Sequence, residues 1–303
     1  MPEVAVVADS SCSLPAGIVS RYAIRIVPLN LVIDGESFLD GDHTAPSFYE
    51  RLSRAGGRFS TASPSPGDFL RVFQEAATQA TAILCITLSS RYSATFAAAS
   101  DAARLFLEER PGFPLQIWDS RNLAMAHGLV VLAAAKAAAA GEGPDACREA
   151  AEVVAGRVHL VGMLDTLDYL AISGRIPRAA AWAGSLLQIK PILEADREEV
   201  RAVERVRTRP RAMRRLLELT QNRVDKDVPL HVAVAHTNAP ELAEELRDLL
   251  QGALRPEELL MCEFTAVMGV HTGPGLVGLA FYNDVETGPS SFRDLAAAST
   301  PVS

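Results

Sequence analysis

Residues 81–88 read Thr-Ala-Ile-Leu-Cys-Ile-Thr-Leu and run into Ser89-Ser90-Arg91-Tyr92-Ser93. A β-branched, apolar run without alternation predicts a strand buried on both faces, as at the centre of a parallel sheet. The apolar positions that follow, Phe96, Ala99, Ala103 and Phe106, fall three and four apart and predict a helix. Two further segments repeat this grammar. Val4–Ala8 empties into Asp9-Ser10-Ser11, and Leu115–Trp118 empties into Asp119-Ser120. The stretch after the latter, about 122–140, is apolar nearly all round and predicts a buried helix. Strands that end in polar pairs and lead into helices predict an α/β layer, with polar groups at the carboxyl ends of the strands. Open α/β sheets bind ligands there.

The remaining first-half segments fit the same layer: a strand over Ile24–Ile33, a loop at Asp40-Gly41-Asp42-His43 and a short helix over Ser47–Arg54. Beyond Gly156 the texture changes. Strands are expected at His159–Leu164, Pro191–Leu193, Val200–Arg207, Leu230–His236, Leu259–Phe264 and Leu276–Tyr282. Helices are expected at Asp165–Ile172, Ile176–Gln188, Pro210–Val224 and Pro240–Leu254. The expected architecture is α/β in two domains: a parallel-sheet α/β layer domain over 1–157, and an α+β domain with a mixed sheet over 158–303.

The chain has 303 residues, enough for two ordinary domains, and is 49% hydrophobic and 22% charged, as globular proteins are. A formal charge of −8 argues against nucleic acid as a partner, because a phosphate backbone needs a basic face. Cys12, Cys85, Cys147 and Cys262 show no metal spacing, and no metal site is expected. The opening Pro-Glu-Val-Ala-Val-Val lacks a charged, apolar leader, so the expectation is a soluble, cytoplasmic chain.

Chemistry concentrates in two places. Ser60-Thr61-Ala62-Ser63-Pro64-Ser65-Pro66-Gly67-Asp68 precedes a helical stripe of Phe69, Val72, Phe73 and Ala76. Read as a turn, it offers hydroxyls and free backbone N–H groups at a helix start, which suits a small anion. An ordinary N-cap accounts for it as well. His271-Thr272-Gly273-Pro274-Gly275 reads as a tight turn whose glycines permit close approach of a ligand, with His271 at its mouth. The literal GxGxxG over Gly273–Gly278 is rejected, since it precedes a strand and Pro274 has no N–H to offer phosphate. A hydrolase would pair His271 with Ser93 or Ser63 and an acid such as Asp9, but no GxSxG elbow is present. His231 and His236, five apart on one strand, point to opposite faces. Asp40, Asp42 and His43 offer ligands to a cation, but a solvated acidic turn is the favoured reading. Arg201, Arg205, Arg207 and Arg209 alternate along one strand face, either as a solvated edge or as a basic rim for an anion or an acidic partner.

In order, VADSS (7–11), STASPSPGDF (60–69), LSSRYSATF (88–96), WDS (118–120), LDYLAISGRI (167–176), GSLLQIKPIL (184–193), RVRTRPRA (205–212) and HTGPG (271–275) resemble the DegV family. The resemblance implies a two-domain protein that binds one long-chain fatty acid between its domains. It implies no catalysis by the chain itself. Such proteins resemble the lipid-carrying subunit of a bacterial fatty-acid kinase, presenting the carboxylate to a separate ATP-binding kinase and carrying the acyl phosphate. Transient contact with a membrane fits that role, and no cofactor besides the fatty acid is expected. The family pattern places the carboxylate on Thr61, Ala62 and Ser63, on Ser93, and on His271, Thr272 and Gly273. It places Arg175 and Arg207 toward the phosphate or the kinase. Arg91, Ala94 and Ser173 depart from the family's glycines. The rival readings are a Ser/His esterase or thioesterase and a carrier of another small carboxylate.

Overall fold

The computed structural model describes residues 3–42, 45–176, 189–197 and 199–284. Helices and sheets alternate in five layers. The first sheet is wholly parallel, in the order β2 (Arg25–Val27), β1 (Val4–Asp9), β6 (Ala82–Thr87), β7 (Leu115–Asp119). Every residue of β1 and β6 is buried, because both faces are covered. Val7, Ile83 and Cys85 pack against Phe69, Phe73 and Phe106 of α3 (Pro66–Ala76) and α4 (Thr95–Glu109). Val6, Leu84 and Ile86 face α5 (Ala124–Ala139) and α6 (Pro144–Ala155).

The second sheet runs β10 (Val200–Val206), β9 (Lys190–Ala195), β8 (His159–Met163), β13 (Val277–Asn283), β11 (Leu230–His236), β12 (Glu258–Glu263). It is antiparallel except for β11–β12 and is therefore mixed. Its outer face packs on Met213 and Leu216 of α8 (Arg209–Gln221) and Leu246 and Leu250 of α9 (Pro240–Leu254). Its inner face, through Ala233, Ala235 and Ala280, joins the core built on α5. Twelve of the sixteen residues of α5 are buried, because a sheet lies on either side of it. The helix also passes so close to the loop after β1 that a Cβ on Gly128 would lie 2.4 Å from the Cys12 carbonyl.

A third sheet has no counterpart in the expected layout. The expected strand Ile24–Ile33 divides at Pro28, which has no N–H for a ladder, while Leu29 N–H donates to Ser10 Oγ. The first piece is β2. The second, β3 (Asn30–Ile33), pairs antiparallel with β4 (Glu36–Leu39) and β5 (Phe59–Ala62). This small sheet packs with α2 (Ala45–Arg54) on α10 (Ala266–Thr272), a helix of the second half, through Leu31, Phe48, Tyr49, Val267 and Val270.

Two side-chain expectations are corrected. Asp40 is buried rather than solvated, and Asp42 accepts from Leu39 N–H at 2.9 Å; His43 lies outside the described residues. The arginines of β10 do not share a face, because the ladder shifts register between Ala202 and Glu204. Val200 consequently faces the α5 core and Val206 the opposite one. The expected helix Ile176–Gln188 lies outside the described residues from 177 onward. Among the described residues no helix is long and apolar enough to cross a membrane.

At the start of β11, His231 lies between Glu258 (3.1 Å) and Asp284 (3.2 Å), and Lys136 of α5 also pairs with Glu258 at 2.7 Å. Burial opposes the charge on His231, but the two carboxylates outweigh it and hold the imidazole pKa up at about 9, against an ordinary 6.5. Glu258 is held down at about 2, against 4.5, its burial outweighed by His231 and Lys136. A group with a raised folded pKa stabilises below its unfolded value and loses that contribution as pH rises through the folded one. Thermal stability is therefore expected to fall as pH rises from 6.5 to about 9 and, through Glu258, as pH falls from 4.5 toward 2. Tm measured against pH for the native chain and His231→Gln should show the two curves converging near pH 9. Parallel curves across that range would contradict this.

Candidate functional site

The stretch read as a hydroxyl-rich turn is partly strand. Ser60, Thr61 and Ala62 belong to β5, where Phe59 and Thr61 point inward and Ser60 and Ala62 outward. The helix start that follows is already satisfied. Ser65 and Asp68 form a capping box in which Asp68 N–H donates to Ser65 Oγ and Ser65 N–H to Asp68 Oδ2 (2.8 Å). The chain's own carboxylate occupies the anion position expected there. Ser63 offers its carbonyl to Asn30 Nδ2 at 3.4 Å.

His271 is likewise not in a turn but in the last turn of α10. Its Nε2 lies 3.0 Å from Thr61 Oγ1, joining residues 210 apart in sequence. Burial, reinforced by the nearby Arg175 guanidinium, pushes the imidazole pKa down to about 4, so the ring is neutral at pH 7. Its Nδ1 is buried and has no hydrogen-bond partner. Arg175 also donates to the Thr61 carbonyl at 3.5 Å. A neutral imidazole, a hydroxyl and a guanidinium therefore converge on one point. An incoming carboxylate would find donors there, and its negative charge would raise the His271 pKa by favouring the imidazolium against the effect of burial.

From the same helix, Met268 and Thr272 line an apolar cavity of about 90 Å³. Thr272 Oγ1 is turned away onto the Met268 carbonyl at 2.9 Å. Leu123, Leu160, Leu193, Val200, Phe264 and Leu276 supply further wall. The floor is the inner face of the second sheet, where Gly162 and Gly278 stand opposite each other across β8 and β13. The two glycines leave this patch of sheet without side chains, and a Cβ on Gly278 would lie 2.6 Å from the Val161 carbonyl of the neighbouring strand.

The glycines after His271 admit protein rather than ligand. A Cβ on Gly273 would lie 2.2 Å from the Tyr169 ring, and one on Gly275 2.7 Å from Asp165. Tyr169, from α7 (Asp168–Ser173), stacks on Phe59 two residues before Thr61. Asp165 holds Lys190 (2.9 Å) and Arg209 (2.5 Å), and these two cations pull its pKa below the ordinary carboxylate value against the effect of burial. The sequence pattern assigned no site role to Tyr169, Asp165 or Lys190, and only tertiary packing assembles them.

Other expected site residues lie elsewhere. Ser93 Oγ is 2.8 Å from Thr95 Oγ1 and accepts from Thr95 N–H, so it caps α4 and makes no hydrogen bond to Thr61 or His271. Arg207 is exposed in the bend before α8 and makes no hydrogen bond to that pair. Asp9 is buried and accepts from Ser11 and from Leu88 N–H, with His127 at 3.5 Å, so this strand end is used internally. No serine–histidine nucleophile pair is formed among the described residues.

The family model described as "Uncharacterised protein, DegV family" matches residues 3–284. The chain belongs to the DegV family. Over 281 residues it is 36% identical to a DegV domain-containing protein of Streptomyces coelicolor, covering 91% of this chain and 97% of that one. It is 30% identical to protein DegV of Bacillus subtilis, covering 92% and 98%. Among solved structures, the DegV fold is shared with a fatty-acid-binding DegV family protein of Thermus thermophilus (TM-score 0.85, 28% identity, 93% of this chain and all of that one). It is shared equally with DegV of Bacillus subtilis, described as a fatty acid binding protein (TM-score 0.82, 29% identity, 94% and 100%). Both of those proteins are described as binding fatty acid, and the parallel and mixed sheets seen here belong to the fold this chain shares with them.

Proposed function

We propose that this chain binds one long-chain fatty acid, with the acyl tail in the apolar cavity and the carboxylate at Thr61 and His271. The observation that carries this reading is the 3.0 Å contact between Thr61 and His271, on a helix whose Met268 and Thr272 line that cavity. Each charge-assisted hydrogen bond to the head group contributes about 1.5–3 kcal/mol. A tail of about 14 methylenes at ~0.8 kcal/mol each adds roughly 11 kcal/mol gross. The sequence resemblance adds Ala62, Ser63, Ser93, Thr272 and Gly273 to the head-group set. Of these, Ser93 is bonded to Thr95, the Thr272 hydroxyl to the Met268 carbonyl and Gly273 N–H to the Gly269 carbonyl, and each turns to the head group only by leaving that partner. The bound acid is then presented to a separate ATP-dependent kinase. A carboxylate oxygen attacks the γ-phosphorus of ATP held by the kinase, the acyl–phosphate bond forms and ADP leaves. The chain carries the acyl phosphate, with Arg175 and Arg207 toward the phosphoryl group or the kinase, and the ligand sits between domains divided at 157/158 in a cytoplasmic protein. Supporting the kinase step are the sequence resemblance and the guanidinium of Arg175 beside Thr61.

The test is direct. Denaturing the purified chain and extracting it is expected to release about one fatty acid per chain, identified by mass spectrometry. A chain that yields none and also refuses added palmitic acid would sink the proposal. Turnover of acyl ester without kinase or ATP would favour an esterase, and a different co-purified acid would favour another carrier role.

A further inference from the structure

α10 is seven residues long and carries His271 at its far end. So short a helix is not stable alone, and its N-cap residue, Thr265, makes no side-chain capping bond. The missing cap arrives from 227 residues away: Asp40 Oδ1 accepts from Val267 N–H at 3.1 Å. Its other oxygen accepts from Ser10 Oγ at 2.6 Å, and Ser10 Oγ in turn accepts from Leu29 N–H at 3.1 Å. One buried carboxylate thus ties α10 to the end of β1 and to the root of β3. Burial pushes the Asp40 pKa up, opposed by the donors Ser10 and Val267. The same helix is approached from the side by α2, where a Cβ on Gly269 would lie 2.5 Å from Tyr49 Oη. At its end it meets β5 through Thr61. The small sheet therefore grips α10 at both ends, with Asp40 at one and Thr61 at the other.

We infer that Asp40 is a positioning residue for the head-group site, capping α10 from the small sheet so that His271 is held against Thr61. The inference rests on the proposed fatty-acid function for its affinity readout but not for its structural one. Asp40→Asn keeps an oxygen for Val267 N–H and loses the charge, whereas Asp40→Leu loses both. Palmitic acid binding is expected to weaken about 3- to 10-fold in Asp40→Asn and more in Asp40→Leu. In a His271→Ala background neither change should cost anything further, because residues acting through one another are non-additive. The same fold-loss in both backgrounds would overturn the inference, since general loosening of the fold acts regardless of His271. In the ligand-free chain, NMR titration of the His271 ring is expected to move from about 4 toward the ordinary 6.5 in Asp40→Leu, and part of the way in Asp40→Asn. An unmoved titration in both variants overturns it as well. If the native chain binds no palmitic acid, the fatty-acid reading fails, and the ring titration alone decides the role of Asp40.

Discussion

Replacing His271 with alanine is expected to lower palmitic acid affinity about 10- to 100-fold while shifting Tm by no more than about 4 °C. The affinity loss follows from removing one charge-assisted bond of about 1.5–3 kcal/mol, where each 1.4 kcal/mol is tenfold. Thr61 is also left without the partner that orients its hydroxyl. The stability loss is small because the ring makes a single hydrogen bond in the free chain and its removal also takes away a buried, unpartnered Nδ1. A loss of about 1 kcal/mol moves Tm by roughly 2–4 °C in a domain of this size. His271→Gln, which keeps an N–H on a flexible arm, should fall between the two. The neutral ring adds a second signature. A carboxylate docked beside it raises its pKa from about 4, so binding takes up a fraction of a proton as the pH is lowered toward that value. Isothermal titration in buffers of different ionisation enthalpy measures this uptake, and an alanine variant with native affinity would remove His271 from the site.

Gly273→Ala is expected to cost more than any change at His271, in stability as well as binding. Gly273 sits at φ 69° and ψ 172°, a region reserved for glycine, so any side chain brings about 1–3 kcal/mol of strain. Its new Cβ would also lie 2.2 Å from Cδ2 of Tyr169, and overpacking costs a further ~1–3 kcal/mol. At about 2–4 °C per kcal/mol, the sum lowers Tm by roughly 5–20 °C. The ring cannot yield freely, because it stacks on Phe59 with centroids 5.8 Å apart. Pushing it displaces β5 and so separates Thr61 from His271. Adding Tyr169→Ala to Gly273→Ala should relieve the clash but not the backbone strain, recovering part of the loss. Full recovery would show that the φ angle carries no cost, and an unchanged Tm in the single variant would refute both terms.

The layer architecture was legible because burial on two faces leaves a mark on each residue. TAILCITL could only be a covered strand, and the all-round apolar run became α5, with a sheet on either side. His271 and Thr61 stood out because short polar residues and glycines interrupt such patterns. Local pattern failed where a segment's role depends on a distant partner. Ser60–Ala62 looked like a turn from its serines and prolines, yet pairing with β3 makes it a strand. Asp40 looked like a solvated loop acid, yet two donors from distant segments bury it. The ordinary N-cap reading of the same stretch holds at Ser65, whose partner is Asp68.

What the sequence determined by itself, then, is the alternation of buried strands and helices and the identity of the two segments that meet at the site. Those features depend on neighbours within one or two turns of chain. That these segments meet at all is a matter of packing between distant parts of the chain. A short sheet cut off at Pro28 delivers Thr61 to His271, Asp40 caps the helix that carries His271, and a pair of facing glycines lines the cavity wall without side chains. Each of these is a contact between residues far apart along the chain. Such a contact leaves no periodicity to read, since hydrogen bonds and missing side chains act through space and not along the sequence.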